Sequence, residues 1–359
     1  MGEQRLSDAK RPMLGMTLQV LVDEMQSRRE PRHRAEQIAR WIYRRGVLDF
    51  AQMTNIPASL RQDLAQMYSL ESGKPEAHQK SPDGTEKLLF RDNHDGQSDV
   101  WESVLMRDRD RRTVCVSTQS GCALGCTFCA TAKLGLLRNL TPGEIIAQII
   151  AAGQLLPSGE KVTNVVFMGM GEPLHNFENV KAALEIIGAD WGLDISHHRT
   201  TVSTAGLVPQ IHQWASERIR AKLAISLIAA NDELRSELMP INRKYPLADL
   251  KEAAIHVARE TRGRVTFEYI LMDGINDSIA HARQLVKFIH EIPCKINLIR
   301  FHPNEGSPYG RPSEERVTAF RDYLYPRCPA VSIRKSFGVD IDAACGQLAG
   351  RQAPAREVG

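Results

Sequence analysis

The sequence predicts an α/β fold: a parallel sheet curled into a partial, TIM-like (β/α)6 barrel, with a small helical domain ahead of it. Three observations predict this. Beyond about residue 141, six strand-like runs at 164–168, 199–203, 223–227, 264–270, 295–299 and 331–335 alternate with helical stretches such as 180–187, 247–259 and 279–289. Such alternation is the pattern of a parallel sheet covered by helices. Before residue 75 the pattern is purely helical, with Ala35, Ile38, Ala39 and Ile42 at helical spacing among arginines. Between the two regions lies Cys122-Ala-Leu-Gly-Cys126-Thr-Phe-Cys129, a cysteine-rich loop just ahead of the alternation.

Taken in order, residues 15–70 read as helices, and Ile56-Pro57-Ala58-Ser59 marks a break with Ser59 as a candidate cap. Ser72-Gly73-Lys74-Pro75 reads as a linker. Short strands follow at 87–91, 100–106 and 113–117. Thr141-Pro142-Gly143-Glu144 carries the capping-box pattern, with Thr as N-cap, Pro next and Glu third, so a helix starts there. The domain reading is 1–75 helical accessory domain, 76–110 linker and β extension, 111–350 catalytic domain, and 351–359 disordered tail.

Bulk properties bound the partners. A chain of 359 residues suffices for one large domain and a small one. At 42% apolar and 25% charged residues, with no apolar run long enough to span a bilayer, no membrane partner is expected. The first residues carry no apolar segment of the secretory kind. Seven cysteines, an odd number in a long chain, point to a reducing cytoplasm rather than a disulfide framework. The net charge of +3 says little, but Arg28, Arg29, Arg32 and Arg34, then Arg40, Arg44 and Arg45, and later Arg107, Arg109, Arg111 and Arg112 form basic runs. Such runs suit a polyanion such as RNA, and equally a solvated face.

The cysteine loop is the most specific signal. Three thiolates at x3 and x2 spacing hold three corners of one metal object, whereas iron–sulfur clusters normally take four cysteines. The expectation is a [4Fe–4S] cluster on Cys122, Cys126 and Cys129 with one iron open. A three-ligand zinc site completed by a distant residue is the competing reading. Met168-Gly169-Met170-Gly171-Glu172-Pro173 follows a predicted strand, and its glycines let backbone approach a ligand. Ser203 and Ser226 stand at the next two strand ends, with hydroxyls free to bind a ligand. Cys345 lies in Asp340-Ile-Asp-Ala-Ala-Cys345-Gly-Gln-Leu, followed by Gly, and Cys115 precedes the cluster loop as a possible spatial partner. Each of these two cysteines alone reads equally as a small buried hydrophobe.

The combination resembles the RlmN/Cfr family of radical S-adenosylmethionine (SAM) RNA adenosine methyltransferases, over about residues 15–350. The residues that carry it are Trp101-Glu102-Ser103, Cys115-Val-Ser, the Cys122–Cys126–Cys129 loop, Gly169 to Pro173, Ser203-Thr204-Ala205-Gly206, Leu238-Met239-Pro240-Ile241-Asn242 and the Cys345 segment. The resemblance implies a radical SAM barrel whose open iron takes the amino and carboxylate groups of SAM. It implies SAM contacts at Gly171, Glu172, Ser203, Ser226, Leu227, Ile228 and His302. It further implies that Cys345 receives a methyl from one SAM, and that a radical from a second SAM activates it for attack on adenine. Cys115 then resolves the thioether by a transient disulfide, with Glu102 as proton acceptor. Two positions depart from the usual pattern: Ile228 stands where His is frequent, and His302 where Asn is common.

Within the family, Gly171-Glu172-Pro173 favours methylation at adenine C2 over C8, and Asn297 to Arg300 and Lys335 to Gly338 lean the other way. The C2 branch implies one 23S ribosomal RNA adenosine in the peptidyl transferase region, and the adenosine 3′ of the anticodon in some transfer RNAs. The helical domain then serves as an RNA clamp, with bases stacking on Trp41 or Tyr43. A flavodoxin-type electron donor and a monomeric state complete the expectation. A radical SAM enzyme of another type would need neither Cys345 nor Cys115, and an RNA-binding protein with a structural metal would need no SAM.

Overall fold

The computed structural model describes residues 10–71, 73–94 and 97–350. The predicted tail at 351–359 and Ser72 of the predicted linker lie outside them. The chain opens with β1 (Arg11–Pro12), α1 (Leu18–Ser27), α2 (Arg32–Ala39), a π-helical turn at Arg40–Arg44, a 3-10 turn at Phe50–Gln52, α3 (Ala58–Met67) and β2 (Tyr68–Ser69). Next come β3 (Pro75–Lys80), β4 (Glu86–His94), β5 (Gln97–Asp108), β6 (Arg111–Cys115), β7 (Gln119–Gly121) and β8 (Leu136–Asn139). The alternating part is α4 (Pro142–Gln154), β9 (Asn164–Phe167), α5 (Phe177–Gly188), β10 (Thr200–Thr204), α6 (Val208–Ser216) and β11 (Lys222–Ser226). It continues through α7 (Asp232–Leu238), α8 (Leu247–Glu260), β12 (Val265–Leu271), α9 (Ile279–Ile289), β13 (Cys294–Arg300), α10 (Glu314–Leu324) and β14 (Val331–Ile333).

One sheet of ten strands, in the order β14-β13-β12-β11-β10-β9-β6-β5-β4-β3, organises the molecule. From β6 to β14 all neighbours are parallel, and from β6 back to β3 they are antiparallel. The parallel part therefore has one strand more than the six expected. Locally, 111–115 reads as the last strand of a hairpin ladder with β5. Only its pairing with β9, through Thr113 opposite Asn164, makes it the first strand of the barrel. The strands preceding it are also longer than read, because the β4–β5 ladder runs nine pairs.

The capping box forms as the sequence indicates: the Thr141 hydroxyl accepts from the Glu144 amide at 3.3 Å, and a Glu144 oxygen accepts from the Thr141 amide at 2.7 Å. Ser59 does not cap α3, because Pro57 occupies the N-cap position with no side-chain bond and Ser59 sits within the first turn.

The N-terminal helices do not form a separate core. Met13, Leu21, Ile38, Ile42 and Leu64 belong to one apolar cluster with Ile145, Ile149 and the barrel interior. The closest approach is at Gly15, φ +94°, where a Cβ would lie 2.2 Å from the amide nitrogen of Gly143 at the start of α4. Gly15→Ala is expected to destabilise the protein by about 3 kcal/mol, since neither backbone can yield without disturbing the other. Urea unfolding measures it, and a change near zero would show that the seam is compliant.

Candidate active site

The cluster loop follows β7, a few residues past the C-terminal end of β6, and is shaped by glycine. Gly121, φ +73°, packs so tightly that a Cβ would meet the Gly135 carbonyl oxygen at 1.8 Å. The Cys122 amide donates to that same carbonyl at 2.8 Å. Cys129 N bonds Cys126 O at 3.1 Å, and Thr127 N bonds Leu238 O at 3.0 Å, so the loop is held at both sides. The three thiols line one open-mouthed cavity of about 790 Å³. Burial pushes the Cys122 thiol up to about 12 and Cys126 well above its usual value, and each feels the other thiols' charge. Thiols so disfavoured as free anions gain most from a metal that takes their charge. Among the described residues no three Cys, His, Asp or Glu side chains converge on a single ion. Three thiols on the wall of one cavity are a donor set that fits a [4Fe–4S] cluster.

The opposite wall is built by strand ends. Gly171 follows β9 at φ +95°, and a Cβ there would strike Gln119 at 2.5 Å. That approach lets the Glu172 amide donate to Gln119 Oε1 at 2.8 Å. Glu172 is buried. Its Oε1 accepts from the Leu174 amide at 2.9 Å and its Oε2 from the Ala205 amide at 2.7 Å, tying the end of β9 to the end of β10. Burial outweighs those bonds and pushes its carboxyl up to about 7. Ser203 donates to Glu268 Oε2 at 3.2 Å, and its hydroxyl lies 3.5 Å from that of Ser226. Glu268, on β12, also accepts from Arg334 at 2.9 Å.

Behind this wall is a guanidinium that pairs with no carboxylate among the described residues. Arg235 on α7 is fully buried and donates to the carbonyls of Ala205 at 2.7 Å, Leu227 at 3.0 Å and Ser226 at 3.3 Å, and to Asn242 Oδ1 at 2.8 Å. Burial draws its pKa down to about 10. It fastens the ends of β10 and β11, where the hydroxyls of Ser203 and Ser226 point into the cavity.

Cys345 enters from the C-terminal segment. Its loop is stapled to the cluster loop: Ala130 N and Asn304 Nδ2 donate to the Gly346 carbonyl, Asn304 also reaches the Phe128 carbonyl at 2.9 Å, and Thr131 Oγ1 donates to Leu348 O at 2.7 Å. The residue is exposed as a whole, but its thiol stands at the junction of the cluster cavity and a second cavity of about 620 Å³. Cys115, at the end of β6, lines that second cavity with His302, Arg334 and Phe337. Burial pushes Cys115 up to about 12 and raises Cys345, while the Arg334 guanidinium pulls both down.

A cysteine at the mouth of a three-thiol cavity matches the sequence resemblance, and comparisons with known proteins decide it. Residues 116–286 match the radical SAM superfamily model, and residues 12–70 match the model for the ribosomal RNA large subunit methyltransferase N-terminal domain. The dual-specificity RNA methyltransferase RlmN of Syntrophotalea carbinolica is 46% identical over 96% of this chain and 91% of its own. The chain belongs to the RlmN family. RlmN of Geobacter sulfurreducens is 45% identical over 94% of this chain and 91% of its own. The crystal structure of a radical SAM methyltransferase from Sphaerobacter thermophilus superposes with a TM-score of 0.89, at 45% identity, over 95% of this chain and all of that one. As an RlmN-family protein this chain is a SAM-dependent RNA methyltransferase with a [4Fe–4S] cluster, and its fold is the radical SAM barrel.

Not every expected site residue reaches the cluster cavity. Leu227 and Ile228 are fully buried in apolar surroundings, and their amides both donate to the Glu268 carbonyl, at 2.9 and 3.4 Å. Ile228 takes φ +63°, a conformation that costs a β-branched residue about 1–3 kcal/mol. Its carbonyl is held by Asn276 at 2.8 Å. His302 lies in the second cavity instead, 2.7 Å from the Ser336 hydroxyl. Glu102 lines neither cavity. It is fully buried 3.1 Å from Lys87, and its Oε2 accepts from the amides of Ala349 and Gly350. All seven cysteines are free, so the disulfide expected between Cys115 and Cys345 is not formed here. Tyr43 is unavailable for stacking: it is buried, and its hydroxyl is engaged by Gly15 N and Met16 O. The face of Trp41 is covered by the Arg45 guanidinium at 4.1 Å. Sequence reading missed Glu268, Arg334, Asn304 and Arg235. A carboxylate inside the apolar strand 265–271 was the available signal for the first.

Proposed function

We propose that the enzyme methylates C2 of a specific adenosine in 23S ribosomal RNA and of the adenosine 3′ of the anticodon in some transfer RNAs. The observation that carries the reading is the Cys345 thiol at the junction of the two cavities, with Cys115 on the wall of the second. In this reading Cys122, Cys126 and Cys129 hold the cluster, and Glu172, Ser203 and Ser226 hold SAM. When bound, cluster and SAM supply methyl transfer and one-electron chemistry that a carbon as unreactive as adenine C2 requires.

The chain's own residues do the rest. Cys345 accepts the methyl as a thiolate, which the nearby Arg334 charge favours, and carries the carbon to the base. The target base leaves its stack and enters the second cavity, beside His302 and Phe337. Cys115, as a thiolate, attacks the Cys345 sulfur once the carbon is joined to the base: the S–S bond forms as the S–CH2 bond breaks, and the electron pair goes to the base-bound carbon, which takes up a proton and becomes the methyl. Glu102, charge-paired with Lys87, accepts the ring proton after the 349–350 loop shifts. Both thiols must then be reduced again, which suits the cytoplasm and a thiol reductant. Residues 1–75 act as the RNA-binding accessory domain, 76–110 as its link to the 111–350 catalytic domain.

Mapping methyladenosine in digested RNA after turnover by the reconstituted enzyme tests the position, with the C2 isomer expected; the C8 isomer would place the chain in the other branch. The Glu172 carboxyl gives a pH prediction. Its pKa is raised to about 7, so it is neutral below that and meets the SAM ammonium as a carboxylate only above it. SAM affinity, measured by calorimetry, is expected to fall as pH drops through about 7, and Glu172→Gln to flatten the profile. The linkage sign for folding is opposite: a raised carboxyl favours the cofactor-free fold fully below the unfolded value near 4.5, and that advantage is lost as pH rises through about 7.

A further inference from the structure

The end of the barrel opposite the active site carries a groove that the reaction does not use. A cavity of about 1420 Å³ lies where β11, β12 and β13 begin, and it runs on into a second hollow of about 830 Å³ beside α5 through His197, Ile219 and Arg220. Six exposed cations line the larger part: Arg218, and beside it a set of five, Arg220, Lys222, Arg262, Arg264 and Lys295. None of the five has an acidic side chain within ion-pair distance among the described residues. Glu260 is the only acid lining this part, and Arg218 pairs with it at 3.4 Å. The crowding is uncompensated: desolvation together with Lys295 and Arg111 lowers the Lys222 pKa, and desolvation, His198, Arg220 and Lys222 lower that of His197. Arg218 and Arg262 moreover sit at φ +51° and +50°, left-handed positions that glycine would fill with less strain. A concave cluster of unpaired cations on rigid strand starts is an arrangement whose repulsion an anion would relieve.

The surroundings indicate what kind of anion. Trp214, the aromatic of the indole type in the lining, is buried, so the groove offers charge rather than a stacking platform. The N-terminal helices touch the loop after α5, which lines the smaller hollow through Ala189 and Ile195. Arg44 bonds the Asp190 carbonyl at 2.7 Å and pairs with Asp194 at 3.2 Å, and Tyr43 meets Trp191 edge-on at 5.9 Å, all in the loop after α5 that leads to the groove. The same module touches the start of α4 through Gly15, next to the cluster loop. It therefore flanks the barrel from the active-site end to the base.

We propose that the groove across the base of the barrel is a second RNA-binding track, which holds the phosphodiester backbone of the substrate RNA at a distance from the methylated base and without reading sequence. The inference rests on the enzyme's action on RNA. Phosphate contacts of this kind position a nucleic acid and make its binding steeply salt-dependent.

The test compares the holoenzyme with a charge-reversed variant (Arg220→Glu, Lys222→Glu, Arg264→Glu) and a charge-keeping one (Arg220→Lys, Lys222→Arg, Arg264→Lys). Binding is measured over a salt series to a long, folded large-subunit rRNA fragment and to the bare target stem-loop. The reversed variant is expected to bind the long fragment at least about tenfold more weakly, with the log–log salt slope smaller by about two. Its affinity for the stem-loop, its kcat and its iron content should match wild type, and the charge-keeping variant should behave as wild type. Unchanged affinity and slope for the long fragment would overturn the proposal, as would an equal loss on both RNAs. Pyrophosphate that binds wild type but not the reversed variant, without displacing the long fragment, would show a small-anion site and overturn it as well. If wild type bound neither RNA while retaining its cluster and SAM, the RNA reading itself would fail. Should the triple reversal not fold, Lys222→Ala and Lys295→Ala are each expected to lower the slope by about 0.7–0.9.

Discussion

Cys115→Ala is expected to leave the enzyme covalently joined to its RNA. The prediction follows from the shared cavity: the Cys345 and Cys115 thiols line the same space, close enough that a charge on Cys345 raises the cost of ionising Cys115. If Cys345 carries the carbon to adenine, the sulfur–carbon–base link can break only when another thiol attacks that sulfur. Among the described residues Cys115 is the other cysteine lining this second cavity. Denaturing gels of the variant, incubated with SAM, reductant and RNA, should show a protein–RNA band that wild type lacks, with product reduced about a thousand-fold or more. Cys345→Ala should lose product to the same degree and form no band, since it cannot accept the methyl. Intact-mass analysis should find one added methyl on Cys345 in wild type. Multiple turnover by Cys115→Ala without a band would remove Cys115 from the resolving role.

Arg235→Met is expected to destabilise the fold by about 3 kcal/mol and to weaken SAM binding. Methionine matches much of the volume and avoids burying a charge, which by itself would favour the variant. Against that stands the loss of the donors to the Ala205, Ser226 and Leu227 carbonyls and to Asn242. Leu227 O keeps a second donor in the Ala229 amide, but the Ala205 carbonyl loses a buried bond and the Ser226 carbonyl a half-buried one. Each orphaned buried acceptor costs about 1–3 kcal/mol, so the loss outweighs the relief. Because those carbonyls belong to the ends of β10 and β11, Ser203 and Ser226 lose their fixed placement as well. Urea unfolding and calorimetric titration of SAM read the two effects. Arg235→Lys, which keeps the charge but not the fork, should recover only part of either. A stability change below about 0.5 kcal/mol would mean the strand ends hold themselves.

The helices legible in the sequence were those with their own punctuation. Thr141, Pro142 and Glu144 announce α4 through bonds made within four residues, and α9 runs over Ile279–Ile289 as its apolar spacing indicates. Pro57 misled the placement of the α3 cap, because proline's fixed φ starts a helix without a side-chain bond. The cluster loop and the Gly-Glu turn could be read as motifs because their chemistry needs particular residues at short spacing. The cavity that His302 lines and the burial of Glu102 could not be read, since which cavity a side chain enters depends on the twist of strands far away in the chain.

Sequence alone determined the chemistry: three cysteines at x3 and x2 spacing, a Gly-Glu turn after a strand, and a lone Cys before Gly are local patterns whose residue types define what they can bind. Tertiary structure alone decided the assembly. It made β6 the first barrel strand, set Cys345 and Cys115 on one cavity, buried Arg235 behind the strand ends, and gathered at the barrel base five cations that pair with no acid among the described residues. The physical reason is sequence separation. These groups meet through parallel strand pairing and a common apolar core, and the free energy of that core depends on the packed whole rather than on any local run of residues.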